Sequence, residues 1–300
     1  MSPKFSHVIV VGIDGAGAFI KDADTPYFDR IFAEGAVTYR ALASNPSISA
    51  ECWGSMLTGT GPEVHGLTNK IVGKVPYPTD SPFPSVFRRI RKVMPDAVLG
   101  CFCNWSPIYR GMVENDLNVT TGNGNDIELT LKVCDYIAEN KPAFLFVQLD
   151  HVDSWGHYAG YGTPAHLLSI HDADIRIREI FDAVVDAGMY EDTLFIVIAD
   201  HGGDGLSHGG WSHDERYVTF AAAGKGVQHT GIETMNVRDL AAIILYAFDI
   251  EAPELDEKGW TSQIPEGLFN DPSIPEYRDL SHLTGAAPRI SKTPHTSELI

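Results

Sequence analysis

The sequence predicts an α/β fold, a three-layer α/β/α sandwich around a mostly parallel sheet. Three observations carry this. Residues 7–13, 143–149 and 194–199 are continuous apolar runs with the length and composition of strands buried on both faces. Segments of helical periodicity alternate with them, as in successive βαβ units. Each run also breaks off into acids or histidines with glycine close behind: Asp14-Gly15, then Asp150 to His157, then Asp200-His201-Gly202-Gly203.

With 300 residues and 44% hydrophobic content, the chain reads as a single catalytic domain over 1–300, with about 260–300 as a peripheral C-terminal tail. The net charge of −18 disfavours duplex nucleic acid or an anionic membrane as partner, since both need clustered Lys and Arg. Part of that acidity suits a metal site, whose cations offset its carboxylates. No apolar run is long enough to span a bilayer, and the N-terminus leads straight into a strand, so neither a membrane segment nor a signal peptide is expected. Cys52, Cys101, Cys103 and Cys134 have no disulfide or zinc spacing. Free thiols point to a reducing, cytoplasmic location.

The elements follow in order. The strand 7–13 ends at Asp14-Gly15-Ala16-Gly17, whose glycines lack the GxGxxG spacing of a dinucleotide site. Thr25-Pro26 is a helix start, with the helix over 27–34 and a stop at Gly35. Residues 37–42 form a short strand. Ser47 or Ser49 could cap a helix that ends at Gly59, and a hydroxyl at a helix N-terminus sits where an anion is favoured. Residues 62–69 and the proline-rich 76–84 read as loops. Residues 85–93 form a basic amphipathic helix with Arg88, Arg89, Arg91 and Lys92 on a solvated face. A strand over 97–103 ends at Asn104-Trp105, and 106–122 is irregular. A helix over 126–139 precedes the strand 143–149. Asp153 and His157, four apart, share one helical face. The long helix 163–187 closes at Gly188. A strand over 216–223 and a helix over 236–248 capped by Asn236 complete the pattern. From Glu251 the composition predicts a short strand or hairpin near Gly259-Trp260, then a loosely packed tail.

A parallel sheet brings strand ends to one edge, where ligands bind in open α/β sheets. Asp14, Asp153 with His157, and Asp200 with His201 would converge there, and His208 and His213 follow in one short loop. Carboxylates mixed with imidazoles are ligands for zinc, manganese or iron. Three such clusters suffice for two metals.

These residues resemble the alkaline phosphatase superfamily, and within it the type I phosphodiesterase/nucleotide pyrophosphatase branch, over roughly residues 8–226. The first strand with Asp14 resembles the opening metal aspartate. Pro46 to Gly59 resembles the nucleophile segment, which places the nucleophile at Ser49, a serine where the branch usually has threonine. Pro62 to Asn69 resembles the Pro-x-x-His-Gly stretch, whose nearby Asn, here Asn69, helps hold a phosphoryl oxygen. Asp153 to His157 resembles Asp-x-x-Gly-His, and Asp200-His201-Gly202 resembles Asp-His-Gly. The last ligand is His208, with His213 as its rival. Sulfatase relatives need Cys or Ser followed by x-Pro-x-Arg, which Ser49-Ala50-Glu51-Cys52 lacks; mutase relatives carry a large inserted domain for which this chain has little room.

The resemblance implies one metal on Asp153, His157 and His208 and a second on Asp14, Asp200 and His201, bridged by Ser49. Zinc fits best and manganese is admitted. It implies in-line attack by Ser49 on a small phosphate-ester substrate, charge stabilisation by Asn69 and the helix N-terminus, and hydrolysis of a phosphoseryl intermediate. The expected activity is hydrolysis of phosphodiesters or nucleotide pyrophosphates. The same site would serve a phosphomonoesterase or phosphonate hydrolase, and a catalytically silent metal binder is the third reading. The substrate readings differ in the pocket beyond the metals. Aromatic walls, for which Trp105, Tyr109 and Trp155 are candidates, suit a nucleoside; positive groups suit a second anionic oxygen.

Overall fold

The structure is a computed structural model and describes residues 4–278 and 280. Eight strands form one sheet: β1 His7–Ile13, β2 Ala36–Leu42, β3 Leu99–Cys103, β4 Thr120–Gly122, β5 Phe144–Leu149, β6 Thr193–Ala199, β7 Tyr217–Ala223 and β8 Thr230–Gly231. Their order is β4-β3-β5-β1-β6-β7-β2-β8. β1 pairs in parallel with β5 and β6 from Val8 onward, so the carboxyl ends of all three lie level at Ile13, Leu149 and Ala199. β7 alone is reversed, antiparallel to β6 and to β2. The tips of β1, β6, β5 and β2 and the start of β7 therefore share one edge.

The expected α/β sandwich is present. β5 and β6 are buried at every residue, which is why they read as almost wholly apolar runs, broken in β5 only by Gln148. The helix Pro164–Asp186 packs on Asp126–Asn140, His151–Ala159 and Pro26–Ile31, whereas Leu240–Ala247 packs on Ser49–Thr58 and Val86–Val93. Among the described residues no helix is long and apolar enough to cross a membrane.

Several local expectations are corrected. Thr25 stands at the N-cap with Pro26 as the first helical residue, as expected, but makes no side-chain cap; the buried Asp174 carboxylate accepts Tyr27 N at 2.9 Å and Phe28 N at 2.6 Å instead. Neither Ser47 nor Ser49 caps its helix: Ile48 occupies that position and Ser49 is the first helical residue. The stretches read as loops or irregular chain hold the short helices Pro62–His65, Asn69–Val72 and Pro107–Gly111 and the edge strand β4. The basic face of Val86–Val93 is only partly solvated: Arg89 stacks on Trp260 at 4.9 Å, and Arg91 donates to the carbonyls of Leu117 and Ala97. The tail expected to be loose after Gly259-Trp260 is packed as far as Phe269. Trp260 is buried against Gly59, where a Cβ would lie 2.2 Å from its ring, and Leu268 and Phe269 are also buried. Instead of a hairpin, Trp260 makes a single bridge with Thr60. The remainder of the expected tail, 281–300, lies outside the described residues.

Candidate active site

Each strand tip delivers one part of the site. Asp14 follows β1, is buried, and is fixed through one oxygen: Oδ2 accepts from Trp53 Nε1 at 3.0 Å and from Gln148 Nε2 at 2.9 Å. Its Oδ1 is buried with no hydrogen-bond partner among the described residues. Asp200 follows β6 in the same way. Oδ1 accepts from Gly15 N at 3.1 Å and His201 N at 2.8 Å, while Oδ2 is buried and unpartnered. The close approach of the β1 tip explains its glycines. At Gly15, with φ +69°, a Cβ would sit 2.6 Å from Asp153 Oδ1; at Gly12 it would strike the Trp53 ring at 2.5 Å.

The helix His151–Ala159 after β5 carries Asp153 and His157 on one face, and His157 Nε2 lies 3.3 Å from Asp153 Oδ2. Tyr161 donates its hydroxyl to the other Asp153 oxygen. His208 arrives from the loop after β6, its ring stacked on His201 with centroids 3.8 Å apart.

The three imidazoles share one orientation. Nδ1 of His157, His201 and His208 faces the carbonyls of Leu206, Gly202 and Ser47 at 2.9, 2.9 and 2.8 Å. A carbonyl only accepts, so each Nδ1 carries a proton, and in the neutral ring each Nε2 presents its lone pair inward. This is the arrangement metal-binding histidines take. His201 Nε2 then faces Asp14 Oδ1 at 3.4 Å, Asp200 Oδ2 at 3.3 Å and Ser49 Oγ at 3.2 Å. Two donor sets form, each within 4.8 Å: Asp153, His157 and His208, and Asp14, Asp153 and His201. Asp153 belongs to both, and Asp200 reaches the second through His201.

Burial pulls the His201 imidazole down, but the Asp200 and Asp14 carboxylates outweigh it and push it up to about 10. Asp200 is held well above the usual carboxylate range by burial and by Asp14. Burial and the neighbouring His201 push His208 down to about 4. Two carboxylate oxygens without a hydrogen-bond partner among the described residues favour positive charge at this point, either a second proton on His201 or, with the rings neutral, a bound cation. Three imidazoles and three carboxylates without a thiolate form a set that fits zinc or manganese.

Ser49, 7% exposed, opens its helix and faces this set. Asn69 Oδ1 accepts from Ala50 N at 2.9 Å, which leaves its amide nitrogen to donate elsewhere. Ser47 is fully buried, with its hydroxyl donating to Gly210 O at 3.3 Å and accepting from Gly209 N at 3.1 Å. It therefore holds the His208 loop rather than facing the centre. His213 stands outside the cluster, exposed, with Nδ1 3.3 Å from Asp214 and its ring against Tyr217.

Of the aromatic candidates, Trp155 bonds and packs with His151 and Tyr158 on its own helix, about 200° round from Asp153. Trp105 packs beside the β5 tip, its backbone N–H bound to Gln148 Oε1. Tyr109 lines a separate lateral cavity with Val72 and Lys74. Sequence reasoning missed Trp53, Gln148 and Tyr161, which orient the acids. Trp53 carries a faint signal, as a large aromatic one turn after Ser49.

The family model described as Type I phosphodiesterase / nucleotide pyrophosphatase matches residues 8–75 and 110–252. Among solved structures, murine ectonucleotide pyrophosphatase / phosphodiesterase 5 superposes with a TM-score of 0.68 at 15% identity, over 82% of this chain and 96% of that one. An inactive variant of the murine protein, threonine replaced by alanine and in complex with AMP, gives 0.67 at 14% identity, over 83% and 96%. A 2-O GAG sulfatase gives 0.69 at 12% identity, over 87% and 73%. At these identities the likeness is one of fold.

Proposed function

Because the chain belongs to the type I phosphodiesterase/nucleotide pyrophosphatase family, we propose that it is a two-metal hydrolase that cleaves phosphodiester or nucleotide pyrophosphate bonds through a phosphoseryl intermediate on Ser49. The observation that carries this reading is the Ser49 hydroxyl at a helix N-terminus, 3.2 Å from His201 Nε2 and beside the unpartnered oxygens of Asp14 and Asp200. Asp153, His157 and His208 would hold one divalent cation and Asp14, Asp200 and His201 the other, as zinc or manganese. When bound, the two cations supply positive charge that acidifies the Ser49 hydroxyl and neutralises the oxygens of the reacting phosphoryl group.

The chain's own groups do the rest. Ser49 Oγ, deprotonated, forms a bond to phosphorus as the bond to the leaving oxygen breaks in line. The amide nitrogen of Asn69, freed by the bond from Ala50 N to its oxygen, donates to a non-bridging oxygen. The N-terminus of the Ser49–Thr58 helix adds its dipole. Water then cleaves the Ser49–phosphorus bond and returns the hydroxyl. A threonine-to-alanine change accompanies inactivity in the murine neighbour with AMP; we assign the corresponding hydroxyl role to Ser49. Ala50, Glu51 and Cys52 supply neither the Pro nor the Arg that a sulfatase needs after its nucleophile.

We take 1–300 as one catalytic domain with a small phosphate-ester substrate. Four unpaired cysteines are compatible with a reducing, cytoplasmic compartment. Metal analysis followed by a panel of chromogenic esters tests the proposal. Two metal equivalents, diester turnover that a chelator abolishes, and acid-stable phosphoserine at Ser49 after quenching are expected. Metal-replete protein that turns over no phosphate ester would end it.

A further inference from the structure

A pocket of about 350 Å³ opens beside the nucleophile segment on the β2/β7 side. Its walls lie at the catalytic edge: Leu42 ends β2, Arg216 immediately precedes the reversed β7, and Asn236 bridges to Leu42. Asn45, also in the wall, stands four residues before Ser49 (49 − 45). At about 3.3–3.6 Å per residue the two are at most ~14 Å apart. Gly210, next to the wall residue Trp211, accepts the Ser47 hydroxyl at 3.3 Å, so pocket and nucleophile segment are stitched together.

The pocket gathers three arginines, Arg216, Arg238 and Arg278, in a chain with 40 acidic residues against 22 basic ones. The one carboxylate among its described lining residues is Glu63, which is exposed. Among the described residues none of the three arginines forms an ion pair. Nε of Arg216 and Nε of Arg238 are buried with no hydrogen-bond partner among the described residues. Asp239, next to Arg238, is spent on Asn236 N, Tyr277 OH and Gln263 N.

The cations are also held in place. Arg216 stacks on Trp211 at 4.5 Å, and its carbonyl accepts from Ala43 N at 2.8 Å. The Gln263 side chain pins the backbone of Arg278 at both ends, 2.9 and 2.8 Å. A buried Nε–H without an acceptor is costly to maintain, and the partly exposed ends of the same guanidinium groups remain open to a ligand. A planar carboxylate or a phosphate supplies the matching oxygens.

We propose that this pocket binds a second anionic group of the substrate, a carboxylate or phosphate on the arm that stays attached to phosphorus while Ser49 attacks. The inference rests on the phosphoryl-transfer reading of Ser49 and narrows its substrates to esters carrying two separated anions.

Two esters that differ only in this feature test it: p-nitrophenyl 2-carboxyethyl phosphate and p-nitrophenyl propyl phosphate. For the wild-type protein the carboxyethyl ester should have at least a tenfold lower KM. In Arg238→Gln that advantage should collapse to within about twofold. Arg278→Gln, at an exposed position where unfolding is not an issue, should lose several-fold of it. Binding is read separately by calorimetry on metal-loaded Ser49→Ala with 2-carboxyethyl phosphate and propyl phosphate. A tenfold tighter Kd for the first, lost on adding Arg238→Gln or Arg278→Gln, supports the pocket. Equal Kd values for the two overturn it whether or not any ester turns over. No turnover of either ester, with the carboxyethyl compound still bound more tightly, would sink the hydrolytic reading and leave the anion pocket standing.

Discussion

The Trp53 indole donates to the Asp14 carboxylate across 3.0 Å from the helix that Ser49 begins, one turn away. Ser49, the proposed nucleophile, and Asp14, a carboxylate of the proposed second metal set, are therefore parts of one rigid unit. Trp53→Phe keeps the ring but removes the donor, and Gln148 Nε2 then fixes Asp14 alone. Metal affinity should fall by roughly 10- to 100-fold, as for other partners that orient ligands. Calorimetric metal titration reads this directly; unchanged affinity in a folded variant would reduce Trp53 to packing.

The Ser49 hydroxyl faces His201, whereas the Ser47 hydroxyl is engaged with Gly209 and Gly210. Ser49→Ala should therefore lose several orders of magnitude in kcat with both metals still bound. Ser49→Thr should keep partial turnover, since the hydroxyl survives. Ser47→Ala should lower turnover modestly through the His208 loop. A severe Ser47→Ala with a mild Ser49→Ala would exchange the two roles.

His208→Ala should remove one of two metal equivalents by elemental analysis, because its inward Nε2 belongs to the Asp153–His157 set. His213→Ala should retain both, since that ring lies on Tyr217. The opposite pattern would reverse the assignment.

His65 links stability to pH. Leu67 N donates to its Nδ1 at 2.9 Å, while Nε2 reaches Ser55 Oγ at 3.1 Å and Glu51 O at 3.3 Å. A second ring proton would meet the Leu67 N–H head-on. Burial lowers this imidazole from 6.5 to about 4. Between those values the unfolded chain binds a proton that the folded one does not, so stability falls as pH drops from about 6.5 towards 4, by on the order of 3 kcal/mol in full. His65→Gln can keep an acceptor and a donor without titrating. Urea unfolding at pH 7 and 4.5 should show the wild type losing a few kcal/mol more than this variant; identical losses would rule out His65 as the source.

What the sequence made legible follows from physics. The strands write themselves as apolar runs because both of their faces are buried, and the acids at their tips stand out because they end those runs abruptly. Asp153 and His157 were readable from a spacing of four. Other features depend on partners far away in the chain. Asp174 caps a helix 146 residues upstream, and Gln148 reaches Asp14 across 134. Ser47 looked like a cap because only the fold brings Gly209 to it. Trp260 sits on Gly59 in a stretch with no period at all, so composition alone suggested a loose tail. The three arginines come from three segments, and no local pattern joins them.

The single reversed strand has a further consequence. Because β7 starts where β6 ends, the chain from Asp200 to Arg216 leaves and re-enters the sheet on the same side, and its last part is clamped on itself. The Glu215 carboxylate accepts from Gly210 N at 2.7 Å and Ser212 N at 2.9 Å. Residues 209–216 thus form a small folded segment between the tips of β6 and β7. The same segment is tied to Ser47 through Gly209 and Gly210 and to Gly202 through the Glu215 carbonyl, so a change in its length would move Trp211 and pull on His208 together, and substrate range and reaction chemistry would drift as one.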